Sequence, residues 1–433
     1  MFRREVLPPL EIQRKPPRDR GSMKKGDCDT MKKFLALLLA LVMSLSLVAC
    51  GGGDDTAADG GADAEDGGNA ETAAYQVAMI TDYGDITDQS FNQTTYEACQ
   101  EFCDAEGLQF EYYKPAGDST AERVAMVDAA VADGYNVIVM PGYAFAETIK
   151  ETAELYPDVT FIALDVAQGD LGEDYTVPSN VYCAVYQEEL CGYMAGYAAV
   201  KLGYKNLGFL GGMAVPAVVR YGYGFVQGVD AAAAEMKLTD VKVNYIYGGQ
   251  FFGDADITAV MDTWYNGGTE VVFACGGGIY TSAVDAAKKV SGAKVIGVDV
   301  DQAGVIAKYA AGEGADQATI DGFKALTVTS AMKGLYPATF DTLTDVIVKG
   351  NWDNYKGKIQ NLGLVSGDDP TLNYVQIPME STQWKDGAFT QDNYKAMVKE
   401  MFDGTLTVSN DITKAAKDFA TVITVDDQGK IKG

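Results

Sequence analysis

The stretch Gln76–Gln93, QVAMITDYGDITDQSFNQ, combines a short apolar run, a polar loop and the start of a helical segment. Val77–Ile80 is apolar throughout, as is typical of a buried parallel strand. The loop that follows contains Gly84, which permits a tight turn, and the pattern then predicts a helix over Phe91–Glu106. In open α/β sheets, ligands bind at the carboxyl ends of such strands. This stretch therefore predicts an α/β fold with a binding site beside it.

The loop places hydrogen-bonding groups beside an aromatic ring. It offers carboxylates, an amide and a phenyl group: Asp82, Asp85, Asp88, Asn92 and Phe91. This combination suits a flat ligand that is rich in hydroxyl groups. The alternative is an ordinary turn in which Asp88 or Ser90 caps the helix. This segment alone leaves both interpretations open.

The composition of the whole chain excludes several function classes. Its 433 residues are too many for one small core and fit about two domains. The net charge of −27 argues against a nucleic-acid partner, which requires clustered Lys and Arg. The chain has no histidine, so it cannot form a Ser-His or Cys-His pair or an HExxH zinc site. We expect a protein that binds its ligand without cofactor, metal or catalysis.

The N-terminal region has the pattern of a lipoprotein leader. Residues 1–30 are basic and aperiodic, and we interpret them as an over-long start that precedes a true start at Met31 or Met23. Residues 31–50 begin with a charged segment, continue through an apolar run and end in LVAC at Cys50, which predicts a secretory signal. LVAC resembles the bacterial lipobox, so we expect Cys50 to be acylated. An uncleaved membrane anchor is the alternative.

Residues 51–74 consist of small and acidic residues and contain no large apolar side chain. Such a segment cannot bury a core and predicts a flexible, disordered tether. A lipid, a tether and a globular body together indicate a receptor on the extracytoplasmic face of the cell membrane.

From Tyr75 onward, apolar strands alternate with Ala-rich helices. The clearest strands are Val77–Ile80, Val137–Met140, Thr160–Leu164, Asn206–Leu210, Val241–Tyr247, Glu270–Ala274 and Lys294–Val298. This alternation predicts parallel sheets that are covered by helices on both faces. Two lobes are expected, the first from residues 75–185 and 324–352 and the second from residues 186–323 and 353–433. A hinge between them would close around a ligand.

The cysteines after Cys50 do not suggest a disulfide framework. They are five in number, an odd count, and they are scattered: Cys99, Cys103, Cys183, Cys191 and Cys275. We interpret most of them as small buried apolar residues.

The DQSFNQ sequence at Asp88–Gln93, with the preceding Thr81-Asp82, resembles a segment of the basic membrane protein family. These are lipoprotein substrate-binding proteins, and they include a purine nucleoside receptor. The similarity continues through Phe161–Asp165, Gly208–Met213, Arg220–Phe225, Gly276–Gly278, Val298–Gln302 and Thr329–Lys333. It extends over most of the chain after the tether.

The resemblance implies the type I periplasmic-binding fold, in which three crossings join two Rossmann-like lobes with parallel sheets. It also implies a function: the protein would capture nucleosides, purine nucleosides above all, in the cleft between the lobes. It would then deliver them, as a monomer, to the permease of an ABC importer.

By the same resemblance, a nucleobase would stack between one ring from each lobe. The first ring is Phe91 and the second is Phe252, with Phe251 as the alternative. The remaining contacts implied are Asn92, Asp82 and Asp165 to the base, Asp299 and Lys333 to the ribose, and the backbone of Gly249 and Gly278 nearby.

Two other functions are compatible with parts of this pattern. A receptor for a simple sugar or another small molecule could use the same fold, since rings and carboxylates also suit sugars. A nucleoside hydrolase could use the acidic residues. That activity is disfavoured because the carboxylates are spread over two lobes and the chain has no histidine.

Overall fold

The computed structural model describes residues 75–432, and the predicted leader, Cys50 and the tether lie outside this range. The strands are β1 Val77–Ile80, β2 Phe110–Tyr113, β3 Val137–Pro141, β4 Thr160–Leu164, β5 Val181–Tyr186, β6 Asn206–Gly211, β7 Lys242–Tyr247, β8 Val271–Cys275, β9 Lys294–Asp299, β10 Thr327–Lys333, β11 Lys358–Leu362, β12 Val375–Gln376 and β13 Thr424–Lys430. The helices are α1 Phe91–Glu106, α2 Thr120–Ala132, α3 Phe145–Thr152, α4 Gln168–Leu171, α5 Glu188–Lys201, α6 Pro216–Glu235, α7 Ala255–Asn266, α8 Tyr280–Ala287, α9 Ala303–Ala311, α10 Gln317–Phe323, α11 Leu335–Leu343 and α12 Gln391–Phe402. None of these helices combines the length and apolar character needed to cross a membrane.

The strands form two separate sheets, one in each lobe. The first sheet has the order β11-β5-β4-β3-β1-β2, and all of its strand pairs are parallel. The second has the order β12-β10-β9-β8-β6-β7-β13 and is parallel except at the β12 edge. Helices cover both faces of each sheet, which is why apolar strands such as β1 are fully buried. This is the two-lobed α/β architecture that the sequence predicts.

The chain passes between the two sheets three times, after β5, after β10 and after β11. The predicted lobe boundaries are wrong at the last two crossings. The sequence predicts that segment 324–352 belongs to the first lobe, but β10 pairs with β9 in the second sheet. It predicts that segment 353–433 belongs to the second lobe, but β11 pairs with β5 in the first sheet. The segment that returns to the first lobe therefore begins only near α11, after β10 has ended its pairing in the second sheet.

Helices α5 and α6 pack backbone to backbone in the second lobe. A Cβ added at Gly192 of α5 would lie 2.3 Å from the carbonyl oxygen of Tyr221, and one at Gly224 of α6 would lie 2.0 Å from that of Glu189. No side chain fits at these positions, so the glycines permit the close approach of the two helices. The packing fixes the N-terminal turn of α5 against α6, next to the cleft between the lobes.

The five cysteines of the described chain are all buried, and none of them forms a disulfide. This confirms the prediction that most of them serve as small apolar residues.

Candidate functional site

A cavity of about 340 Å³ lies between the lobes, and it is lined by the loops that follow the strands of both sheets. Its volume is at the small end of the range of roughly 300–1,000 Å³ found for small-molecule sites. Of the ligand-binding residues predicted from the sequence, the following line this cavity: Asp82, Phe91, Asn92, Asp165, Phe252, Gly278, Asp299 and Lys333. Gly249 does not line it. That glycine adopts a positive φ of 84° and packs against Lys432.

Asp82 follows β1 and is held by the backbone of its own loop. Its Oδ1 accepts hydrogen bonds from the N–H groups of Tyr83, at 2.6 Å, and Gly84, at 2.8 Å. Gly142 leaves room for the carboxylate, because a Cβ at this position would lie 2.7 Å from Asp82 Oδ2. Burial raises the pKa of Asp82 to about 6, since the two N–H donors only partly offset the loss of water.

Asp88 performs the capping role that the sequence left open. It accepts hydrogen bonds from the backbone N–H groups of Ser90, Asn92 and Gln93 at the start of α1. The side chain of Ser90 does not cap the helix; its Oγ donates instead to Asp299 Oδ2 at 2.7 Å. Because Ser90 and Asp299 belong to different lobes, this hydrogen bond crosses the cleft.

The two adjacent phenylalanines after β7 have different surroundings. Phe251 packs on the backbone at Gly212 and Gly276, where an added Cβ would lie 2.3 Å and 2.8 Å from its ring. Its ring also faces Tyr83 of the first lobe, with 6.3 Å between centroids. Both phenylalanines line the cavity, but Phe252 is 62% exposed. The ring of Phe252 is therefore free to contact a ligand, whereas Phe251 is held by the protein.

Lys333 lies at the end of β10 and forms the centre of a buried ionic cluster. Its Nζ is 2.5 Å from Asp165 Oδ2, 3.7 Å from Glu188 Oε1 and 3.8 Å from Asp299 Oδ1. It also lies over the ring of Phe91, 4.7 Å from the centroid, which is a cation–π distance. Burial opposes the charge of Lys333, but the three carboxylates outweigh it and hold its pKa above the ordinary value.

Asp165 and Asp299 both adopt the left-handed backbone conformation, with φ of 62° and 63°. This conformation is uncommon for residues with a side chain, and when it occurs it often marks a functional site. The two residues hold equivalent positions, since Asp165 follows β4 and Asp299 ends β9. Burial raises the pKa of Asp165 to about 6, even though Lys333 lowers it.

Sequence reasoning did not assign a role to two charged residues beside this cluster. Arg220 of α6 lines the cavity, and its Nε donates to Glu188 Oε2 at 2.6 Å. Glu188 is fully buried at the start of α5. A signal was present in each case, because each is a charged residue within a strongly apolar helix.

The charges that line the cavity are predominantly negative. Two cations, Arg220 and Lys333, stand against six carboxylates: Asp82, Asp85, Asp88, Asp165, Asp170 and Asp299. Such a surface accepts hydrogen bonds from neutral or cationic ligands and repels anions.

Comparison with known proteins agrees with this architecture. A sequence model of the Bmp family, described as "ABC transporter substrate-binding protein PnrA-like", matches residues 75–362. An ABC transporter nucleoside-binding protein, BmpA, from Lactococcus lactis is 28% identical, over 56% of this chain and 68% of the relative. Basic membrane protein B from Borreliella afzelii is 24% identical, over 68% of this chain and 80% of the relative.

Solved structures support the same fold. An ABC transporter solute-binding protein from Aeropyrum pernix superposes with a TM-score of 0.58 at 20% identity, covering 80% of this chain and 90% of that one. Another from Conexibacter woesei gives a TM-score of 0.55 at 22% identity, covering 78% of this chain and 99% of that one. With the family model matching more than half of the sequence, the chain belongs to the Bmp family of ABC transporter substrate-binding proteins.

Proposed function

We propose that this protein captures nucleosides, with purine nucleosides preferred, and delivers them to the permease of an ABC importer. The observation that carries the proposal is the position of two rings, Phe91 and Phe252, which come from opposite lobes and line one cavity. A purine offers two flat faces, and each favourable ring contact contributes on the order of 1 kcal/mol. A base stacked on both rings would bridge the cleft and favour its closed form.

Asp299 is suited to the ribose of such a ligand. Its carboxylate already accepts hydrogen bonds from hydroxyl groups, those of Ser90 and Tyr221. Ribose carries adjacent hydroxyls that can donate to the same group in charge-assisted hydrogen bonds. The Nζ of Lys333 lies 3.8 Å from Asp299 Oδ1 and forms an ion pair with this carboxylate.

Asp82, Asn92 and Asp165 are suited to the edge of the base, because a purine edge carries hydrogen-bond donors. All three line the cavity. Gly278 supports this arrangement through its backbone, since its N–H donates to the carbonyl oxygen of Phe251 at 2.8 Å.

A panel of ligands tests this proposal. Calorimetric titration with guanosine, inosine, adenosine, the free bases, ribose and glucose should show saturable binding of the nucleosides and weaker binding of bases and sugars. Tight binding of a sugar without binding of any nucleoside would favour the sugar-receptor alternative. Release of free base from nucleoside during incubation, measured by chromatography, would favour a hydrolase.

We propose that the protein works outside the cytoplasm, as substrate-binding proteins of ABC importers do, and is held at the membrane through a lipid on Cys50. Relatives are named basic membrane protein and lipoprotein. Cys50→Ser should release the protein from the membrane fraction and leave ligand affinity unchanged. If this variant stays acylated and membrane-bound to the same degree as wild type, the lipobox interpretation is wrong.

A further inference from the structure

The C-terminal segment, residues 409–432, follows α12 and is bound along one face of α6. Gln227 of α6 accepts a hydrogen bond from the backbone N–H of Ser409 at 2.8 Å and donates one to its carbonyl oxygen at 2.9 Å. Asp230 lies three residues further on the same helix face and is buried. Its Oδ1 accepts from the backbone N–H groups of residues 421–423, at 2.7–3.2 Å. The C-terminal segment is therefore fixed to α6 before its final strand begins.

The final strand, β13, brings the end of this segment to the cleft edge of the second sheet. It pairs in parallel with β7, with Thr424 opposite Lys242 and Lys430 opposite Tyr247. Parallel strands have their carboxyl ends at the same edge of a sheet, which is where the ligand-binding loops lie. The residues after β13 therefore arrive beside the loop 248–254 that follows β7. The N–H of Ile431 donates to the carbonyl oxygen of Tyr247 at 2.8 Å.

Lys432 contacts this loop near both of its ends. A Cβ added at Gly249 would lie 2.9 Å from the Cβ and 2.9 Å from the carbonyl oxygen of Lys432. The Nζ of Lys432 donates to Asp254 Oδ2 and lies 3.7 Å from Asp256 Oδ2. Asp254 is the N-cap of α7, because its Oδ1 accepts from the N–H groups of Asp256 and Ile257. Lys432 thus ties the end of the C-terminal segment to the point where the loop enters α7.

Gln250 connects this ion pair to the backbone of Phe252. Its Nε2 donates to Asp254 Oδ2 and to the carbonyl oxygen of Phe252, in each case at 2.9 Å. Asp254 Oδ2 therefore accepts from both Gln250 and Lys432. Because the ring of Phe252 is 62% exposed, it has little packing of its own. The position of the ring is set mainly by the backbone of the loop that carries it.

We propose that Lys432 is a positioning residue for the ligand site: through Asp254 and Gln250 it holds the loop 248–254 so that the ring of Phe252 faces the cavity. This inference rests on the proposed nucleoside function, in which that ring stacks on the base. Lys432 does not itself line the cavity, so its effect on the ligand passes through the loop. A ring that is already held in place loses less conformational freedom when the ligand binds, which favours affinity.

Calorimetric titration with guanosine tests this role. Lys432→Met removes the ammonium group and keeps an apolar stem, and it should weaken binding roughly 3- to 10-fold, the cost of ordering one or two groups at a binding surface. Lys432→Arg keeps a donor for Asp254 and should restore most of the affinity. Lys430→Met is the matched control, because it makes the same change of charge at an exposed position of β13. It should bind guanosine as wild type does.

A double-mutant cycle separates positioning of the ring from a general effect on the fold. If Lys432 acts through Phe252, the substitution Lys432→Met should cause little further loss of affinity in Phe252→Ala, because the ring that it positions is absent. A loss by the same factor in both backgrounds would overturn the inference. Affinity of Lys432→Met equal to that of Lys430→Met would also overturn it.

Hydrogen exchange of the ligand-free protein provides a test that needs no nucleoside. In Lys432→Met the backbone amides of the loop 248–254 should exchange several-fold faster than in wild type, since the loop opens more often. Lys430→Met should exchange at the wild-type rate. Unchanged exchange of this loop in Lys432→Met would overturn the inference. If no nucleoside binds wild type, the proposed function fails, and exchange alone decides whether Lys432 holds the loop.

Discussion

The Nζ of Lys333 lies 2.5 Å from Oδ2 of Asp165, and this ion pair joins the end of a strand in the second lobe to the residue after a strand in the first. A hydrogen bond from Ser90 Oγ in the first lobe to Asp299 Oδ2 in the second lobe also crosses the cleft. The two lobes are thus held together by the same side chains that are proposed to contact the ribose and the base. Closure and ligand recognition therefore depend on one set of charges.

Removal of the Lys333 charge should destabilise the protein as well as weaken ligand binding. Lys333→Met leaves the carboxylates of Asp165 and Asp299 buried without their cation, whereas Glu188 keeps its ion pair with Arg220. The loss of one partner from a buried ionic cluster costs about 3–5 kcal/mol. We expect a decrease of this order in the free energy of unfolding, measured by urea denaturation.

Lys349→Met is the control for that measurement. Lys349 pairs with Asp345 but is 59% exposed at its side chain, so its loss should cost less than about 1 kcal/mol. Equal effects of the two substitutions on stability would contradict the central role of Lys333.

The two adjacent phenylalanines should respond differently to substitution. Phe252→Ala should weaken nucleoside binding by about 1–2 kcal/mol, because its exposed ring is proposed to stack on the base. Phe251→Ala should mainly lower thermal stability, because its ring packs against the backbone at Gly212 and Gly276. Calorimetry and thermal denaturation of both variants separate the two effects. If Phe251→Ala loses more affinity than Phe252→Ala while it stays folded, Phe251 is the stacking ring.

A 5′-phosphate should weaken binding. Guanosine 5′-monophosphate brings negative charge into a cavity lined by six carboxylates and two cations, at a cost of roughly 1–3 kcal/mol relative to guanosine. 5′-O-Methylguanosine, which adds bulk without charge, is the control. Calorimetry that shows equal or tighter binding of the monophosphate would contradict the proposed electrostatics of the cavity.

Glu189 should lower stability above neutral pH. It is buried, its Oε2 has no partner, and burial together with Glu188 raises its pKa to about 7. The folded protein then holds a proton that the unfolded chain releases at lower pH, so stability falls as the pH rises toward 7. Glu189→Gln keeps the neutral form, and it should raise the free energy of unfolding by roughly 1–3 kcal/mol at pH 8 and hardly change it at pH 5.

Glu235→Gln is the opposite case. Lys201 and Tyr197 lower the pKa of the Glu235 carboxyl. Removing its charge should therefore leave the free energy of unfolding at pH 8 unchanged or lower it slightly. Glu189→Gln that fails to raise stability at pH 8 would show that the buried carboxyl finds a compensating partner.

The elements that could be predicted from the sequence are those with local signals. Val77–Ile80 and α1 have the predicted bounds, because an apolar run and a capping residue define them. The sequence does not predict strand β13, because Thr424–Lys430 is mostly exposed and contains few apolar residues. The lobe to which β10 belongs could not be predicted from the local sequence either, because sheet membership depends on pairing between distant segments.

For the candidate site, too, only some of the residues could be predicted from the sequence. Resemblance to a family placed Asp165, Asp299 and Lys333 near one another, but it did not indicate that Glu188 and Arg220 extend their cluster. Nor could the sequence separate Phe251 from Phe252, because adjacent identical residues carry identical chemistry. The glycines that hold Phe251 are distant in sequence, at positions 212 and 276, and only the fold brings them to its ring.

Titration of wild type and Phe91→Ala with guanosine, adenosine and inosine tests whether nucleosides bind in this cavity. Phe91 lies at the start of α1, lines the cavity and is in contact with Lys333. We expect saturable nucleoside binding by wild type and a loss of about 2–4 kcal/mol of binding free energy in Phe91→Ala, the size of a hot-spot contact. If folded Phe91→Ala binds all three nucleosides as tightly as wild type, the cavity described here is not the nucleoside site.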